Sequence, residues 1–278
     1  MKKEFLAVMA IAGLTSTTSV FADISDIKAS NNQIGVQYIS PSLDYTETGN
    51  GVFGTPTGTL DTESGRIPGV ALSITAMKDA ILKNDYIKFE YDRSSGYTTY
   101  TGSYIGGGPY GSVVATSSAR ITNYILDYGK GYEVSNQFML TPYAEFGKHE
   151  WDRGVNYGEI YVNYNYGIGI LGQYSPADKL VFSANALIGR TYNSSITIQG
   201  SNAWGFLTGG LGTSTMQKAG ISADYAFTKD IHGNIGIDYT SFKYGISAYY
   251  PIGGGNVMWE PNSKSSYTTT KVGIGYAF

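Results

Sequence analysis

The last eight residues of the chain, Lys271–Phe278, set Val272, Ile274, Tyr276 and Phe278 at every second position, with Lys271, Gly273, Gly275 and Ala277 between them. A repeat of two is the repeat of a β-strand, one face large and apolar, the other small or polar. The pattern recurs in Ile34/Val36/Tyr38, Val70/Leu72/Ile74, Ile87/Phe89/Tyr91, Tyr124/Leu126/Tyr128 and Phe138/Leu140/Ala144/Phe146. It returns in Ile160/Val162/Tyr164/Tyr166, Leu180/Phe182/Ala184/Ala186/Ile188, Ala219/Ile221/Ala223/Tyr225/Phe227 and Ile235/Ile237/Tyr239. Ten strands are expected, and an all-β fold with them.

The amino terminus reads as an export signal. Lys2 and Lys3 precede an apolar run from Phe5 to Leu14, and small residues then lead to Val20-Phe21-Ala22. Cleavage after Ala22 is expected, so that 1–22 is a signal peptide and 23–278 a single barrel domain. A membrane-spanning helix needs roughly 20 apolar residues, and no segment of the chain supplies them. A membrane could therefore be crossed only by strands that close on themselves, because hydrocarbon satisfies no free backbone group. Charged residues are only 15% of the chain and its formal net charge is −3, which argues against nucleic-acid binding. Cysteine is absent and histidine occurs twice, so no disulfide, metal or cofactor is expected.

The intervals between strands add a rhythm. Those at 41–66, 94–118, 148–157, 191–213 and 246–265 are longer than their neighbours at 77–85, 129–136, 173–178 and 228–232. Short turns at one end and long loops at the other are the habit of a closed, antiparallel, up-and-down transmembrane β-barrel, both termini facing the periplasm. Alternation alone does not say which face is inside. Export, sparse charge and the loop rhythm together put the large face toward lipid. The lumen would then hold Lys88, Glu90, Asp92, Asp127, Glu145, Glu159, Lys218, Asp224, Asp238 and Lys271, both signs together and expected to pair.

The ending Lys271–Phe278 resembles the terminal β-signal of bacterial outer-membrane barrels, carried by Val272, Ile274, Tyr276 and Phe278. The mature chain as a pattern is similar to the small barrels of the OmpA-like, OmpX-like and opacity-protein type. Those relatives commonly have eight strands where this chain reads as ten. The resemblance implies residence in the bacterial outer membrane, contact with its lipid and lipopolysaccharide, and recognition by the barrel-insertion machinery. Pro142, inside the fifth strand, is expected to mark either a bulge or a strand boundary that falls elsewhere.

Other motifs are weaker. Gly167-Ile168-Gly169-Ile170-Leu171-Gly172 matches a dinucleotide fingerprint, but it sits in an alternating strand, where small residues fill a tight interior. His149 and Trp151 fall in the third long interval and read as external loop residues. They could serve a rim hydrolase, though the ten-stranded omptins resemble this chain only in strand number. Tyr97, Tyr100, Tyr104 and Tyr110 populate the second long interval, whose Tyr/Gly/Ser/Thr composition suits contact with a host surface or extracellular ligand. Ten strands lie near the size at which side chains fill the interior. The expected role is thus a structural or adhesive surface protein with a mostly closed lumen and no enzymatic activity. A narrow cation-favouring porin is the alternative, since acidic lumen residues outnumber lysines.

Overall fold

The computed structural model describes residues 23–52, 56–104, 108–200, 207–253 and 256–278. The proposed signal peptide at 1–22 lies outside the described residues. The elements are α1 (Ile24–Ser30), β1 (Gln33–Asn50), β2 (Thr57–Arg66), β3 (Gly69–Lys78), β4 (Asp85–Gly102), β5 (Val113–Lys130), β6 (Tyr132–Ser135), β7 (Phe138–Arg153), β8 (Glu159–Ala177), β9 (Leu180–Ile198), β10 (Leu207–Ala226), β11 (Ile231–Tyr244), β12 (Tyr250–Gly253), β13 (Asn256–Met258) and β14 (Asn262–Ala277). Every strand of the main sheet pairs antiparallel with its neighbours, and β14 closes onto β1 from Gln33↔Ala277 to Thr48↔Asn262. β2 and β3 are two halves of one barrel strand, both lying between β1 and β4. With short β6 counted as an adjunct of β7, the barrel has ten strands, as the alternation implies.

The interruption between β2 and β3 falls at Ile67-Pro68, where proline has no N–H to give the ladder. Gly69 restarts pairing so close to β4 that a side-chain carbon there would collide with the Arg93–Ser94 backbone. Pro142 sits inside β7. It pairs with Ile170 on one side, while on the other it faces the gap where β5 pairing ends at Gly129↔Tyr143 and β6 pairing begins at Tyr132↔Leu140. Its missing donor therefore falls where the sheet offers no acceptor, beside the bend that leads from β5 into β6.

The large face points outward. Phe182, Ile221 and Ile237 are 46%, 51% and 40% exposed, whereas Glu145 is 4% exposed. Tyr38, Tyr91, Tyr124, Tyr164, Tyr192 and Tyr239 form an upper aromatic row on the outer surface. Tyr128, Tyr174, Phe182, Tyr225 and Tyr276 form a lower one. An apolar band between two aromatic girdles is a surface matched to hydrocarbon and its two interfaces.

Above the upper row the pattern inverts. Along β1, Ile34, Val36 and Tyr38 face out, but beyond them Ile39, Leu43 and Tyr45 are buried inside while Ser42 and Asp44 are exposed. β7 does the same, with Phe146 outside and Trp151 inside, and so does β11, with Ile237 outside and Phe242 and Tyr244 inside. The upper third of the barrel thus has a wet exterior and an aromatic interior, the arrangement of a barrel standing in water. This corrects the loop expectation. Much of each long interval is strand: β1 runs to Asn50, β7 to Arg153 and β9 to Ile198. A reading keyed to outward apolar residues loses the repeat where the two faces exchange character.

At the other end, where the short turns and the described termini lie, α1 closes the mouth of the barrel. Asp23 and Asp26 form a capping box. Ile27 is fully buried with Met77, Tyr86, Met139 and Val181. Asn31 and Gln173 exchange hydrogen bonds of 2.6 and 3.0 Å across the lumen. Outside it, Glu133 accepts from Lys28 at 2.9 Å, Lys83 at 3.2 Å and Asn84 at 3.0 Å, and these three bonds hold its carboxyl down at about 2.

Candidate functional site

The interior is built in layers. Above α1 lies a cavity of about 190 Å³ bounded by Asn31, Gln33 and Gln173 below and by Glu90, Asp238 and Lys271 above. The next layer is ionic. Glu90 receives Lys88 at 2.8 Å and Lys271 at 2.7 Å, and Lys271 also reaches Asp238 at 3.0 Å. Lys218 meets Glu145 at 2.6 Å, and Asn165 donates to the same carboxylate oxygen at 2.8 Å. Asp224 lies lower, bonded to His232 at 2.6 Å and to Gln33 at 3.2 Å. Asp92 accepts from Asn123 at 2.9 Å, while one oxygen of buried Asp127 has no hydrogen-bond partner among the described residues. Glu159 faces inward too but belongs to a separate cluster higher up.

A second cavity, of about 130 Å³, separates this layer from a sheet of rings. Trp151 packs edge-on to Tyr45 at 5.1 Å and stacks on Tyr161 at 5.4 Å; Tyr161 meets Tyr244 at 5.3 Å. Phe242 joins Tyr244 at 5.4 Å, and His149 lies 5.3 Å from Phe242 and 5.2 Å from Tyr267. These rings come from β1, β7, β8, β11 and β14, so they reach across the barrel rather than line one wall.

Arg153 sits on top of the rings, fully buried. Its Nε donates to Glu63 at 2.8 Å and its Nη1 to Glu159 at 3.0 Å, with Asp61 at 3.8 Å from Nη2. The guanidinium also lies over Tyr45 at 4.9 Å and Trp151 at 5.1 Å. Glu260, from the loop after β13, accepts from the Tyr161 hydroxyl at 2.6 Å and from Tyr45 at 3.3 Å. Glu47 takes a bond from the Tyr45 hydroxyl at 3.3 Å. A buried cation held by two carboxylates and three ring faces, the third being Tyr100 at 5.7 Å, is a rigid stopper, and removing the cation would leave its carboxylates stranded in a dry space.

Burial, then repulsion from Glu159, pushes the Glu260 carboxyl up to about 8. An acid whose folded value is raised contributes stability that is complete below its ordinary value near 4.5 and is lost as pH climbs through about 8. The loop at 245–261 is therefore expected to exchange amide hydrogens faster at pH 9 than at pH 6, beyond the intrinsic base catalysis. Glu260→Gln should remove the difference.

The expected sites fall unevenly. His149 and Trp151 do not lie on an external loop: both point into the lumen from β7, 7% and 0% exposed. His149 bonds Asn123 at 2.7 Å and Tyr267 at 3.1 Å, an arrangement that one tautomer with the proton on Nδ1 satisfies fully. The rim-hydrolase reading thereby loses its candidate base. Tyr100 is also inward, 5% exposed and over Arg153, a correction to its reading as a loop contact. Tyr97, Tyr104 and Tyr110 are exposed at the outer end, at 72%, 70% and 48%. Val272, Ile274, Tyr276 and Phe278 face outward. In the glycine-rich stretch, Gly169 faces in, where the Tyr143 ring occupies the space of a side chain, and Gly172 lies on the opposite, outward parity.

Arg153, Glu63, Asp61, Glu47, Glu260 and the plug helix were not anticipated. One signal was available. Asp61 and Glu63 keep the period of two beside Thr and Ser, which marks a strand whose charged side faces inward.

No protein-family model matches the chain, and no curated protein does. Among solved structures, the outer membrane protease OmpT of Escherichia coli superposes with a TM-score of 0.59 at 10% identity, covering 88% of this chain and 95% of that one. The translocator domain of the autotransporter NalP from Neisseria meningitidis gives 0.40 at 13% identity, covering 92% of each chain. OprG from Pseudomonas aeruginosa gives 0.37 at 11%, covering 89% of this chain and 98% of that one. The first of these likenesses establishes the fold as that of an outer-membrane β-barrel.

Proposed function

We propose that the chain is an integral protein of the bacterial outer membrane, closed to solute flow, whose biological role resides in its external end as a structural or adhesive surface. The observation that carries this reading is the double closure of the lumen by α1 below and by Arg153 and its rings above. A conduit would waste both. The exposed Tyr97, Tyr104 and Tyr110 support an adhesive surface, because aromatic side chains with two torsions give contact area at small entropic cost. Lipopolysaccharide surrounds the upper girdle in this reading. The insertion machinery engages the outward row Val272, Ile274, Tyr276 and Phe278 at the closing strand.

The test is surface display. Cells bearing the intact chain are expected to bind a host-derived matrix or epithelial surface, and the triple substitution of Tyr97, Tyr104 and Tyr110 by Ser should lower adhesion about tenfold, several aromatic contacts being lost together, at unchanged surface level. Equal adhesion by cells lacking the chain would remove the adhesive reading and leave the structural one. The narrow cation pore keeps one supporting observation, the excess of lumen carboxylates over Lys88, Lys218 and Lys271.

A further inference from the structure

The outer wall carries an apolar groove of about 960 Å³, separate from the lumen. It crosses the wall from β5 to β11 and runs from Tyr239 in the upper aromatic row to Leu82 in a periplasmic turn. Its floor is short: Ala144 pairs with Ile168, and Ala186 pairs with both Ile170 and Ala219. Neighbouring outward positions carry Ile or Tyr, so the wall is recessed along this diagonal.

Lys130 lines the lower end of the recess, its ammonium 5.2 Å from the Tyr132 ring, and Arg190 stands just above the upper end. Arg190 is the next outward residue after Ile188, which lines the groove, and it pairs across the sheet with Tyr166 and Thr215. Of the other outward cations near this height, Arg120 is neutralised by Asp152 and Lys148 by Glu150 at 2.9 Å, while exposed Arg93, beside Tyr91 on β4, lies outside the groove's lining. Arg190 is exposed, and among the described residues no carboxylate pairs with it. Tyr166 and Tyr192 lie beside it, their rings 5.8 Å apart. A guanidinium at an aromatic girdle sits where lipid headgroups lie, and its planar fork matches phosphate.

The geometry points to a binding site for a single phosphate-bearing lipid of the outer leaflet, an acyl chain along the groove and its phosphate on Arg190. This rests on the membrane-barrel reading above and adds the ligand and its residues. The groove lies within the band that faces hydrocarbon, so its occupant is a chain rather than a soluble molecule. Charge complementarity supplies the second contact.

Native mass spectrometry of the detergent-purified barrel tests it, with bisphosphorylated lipid A as the probe. The wild type is expected to keep one lipid A under activation that strips the rest. Arg190→Gln should reduce the retained fraction about tenfold, the lower end of what a hydrogen bond to a charged group is worth. Ala186→Trp should do so with Arg190 intact by filling the recess, while Ala223→Trp, outward on the same wall but outside the groove, should not. Equal retention by all variants overturns the site, as does equal retention of a dephosphorylated probe or burial of the groove in a dimer. Each variant is compared after heat-modifiable migration shows an intact barrel. A wild-type chain that stays soluble without detergent sinks the membrane reading instead, a distinguishable result.

Discussion

Arg153→Met is expected to lower the stability of the upper barrel by about 3–5 kcal/mol, the usual cost of breaking a buried ion pair from one side. Glu63 and Glu159 would lose their partner at 2.8 and 3.0 Å, with Asp61 close by, in a space no water reaches readily. The methionine fills much of the volume, so the loss isolates charge from packing. Arg153→Lys should recover only part, since one ammonium cannot serve two carboxylates at the angles of a guanidinium fork. The triple variant Arg153→Met/Glu63→Gln/Glu159→Gln should regain most of the loss, because the stranded charges go with their partner. Urea-dependent loss of the heat-modifiable gel form measures all three, and an Arg153→Met barrel as resistant as wild type would refute the stopper.

The second large effect is electrical. In planar bilayers the intact chain is expected to show no steady openings. Deleting 23–31 removes α1 and should still give none, because the rings around Trp151 remain. Substituting Trp151, Arg153 and Tyr161 by Ala should likewise fail alone, since Ile27 stays seated in the periplasmic mouth. Only the combination joins the two internal cavities to both sides. It should conduct in small steps that favour cations, as expected for a lumen where carboxylates outnumber lysines, and Glu145→Ala or Asp224→Ala should reduce that preference. Steady openings from the wild type would instead favour the narrow-pore reading and require the upper or lower closure to move.

The membrane-facing part of the fold was legible because one rule governs it. Where hydrocarbon lies outside and charge inside, the large residues of Ile34–Tyr38 or Val272–Tyr276 announce both the strand and its outward face. The upper barrel obeys the opposite rule. Ile39 follows Tyr38 directly, and that adjacency of two large apolar residues marks the exchange of faces, but it looks like the end of a strand when only one face is tracked. His149 and Trp151 were misplaced for this reason. The lumen charges could be assigned to the interior by parity, yet their partners could not, because Glu90 finds Lys271 from a strand nearly two hundred residues away.

By itself the sequence determined the strand number, through a period of two repeated ten times, and, once the export signal, the sparse charge and the loop rhythm are added, the antiparallel closure and the outward orientation of the apolar band. Only the tertiary structure decided that the barrel rises above its band, that α1 and Arg153 stop its two ends, and that Ala144, Ala186 and Ala219 together recess the outer wall below Arg190. Those are matters of what lies across an enclosed space or beside a neighbouring strand. Local alternation fixes which side chains share a face, and it carries no information about what they meet there.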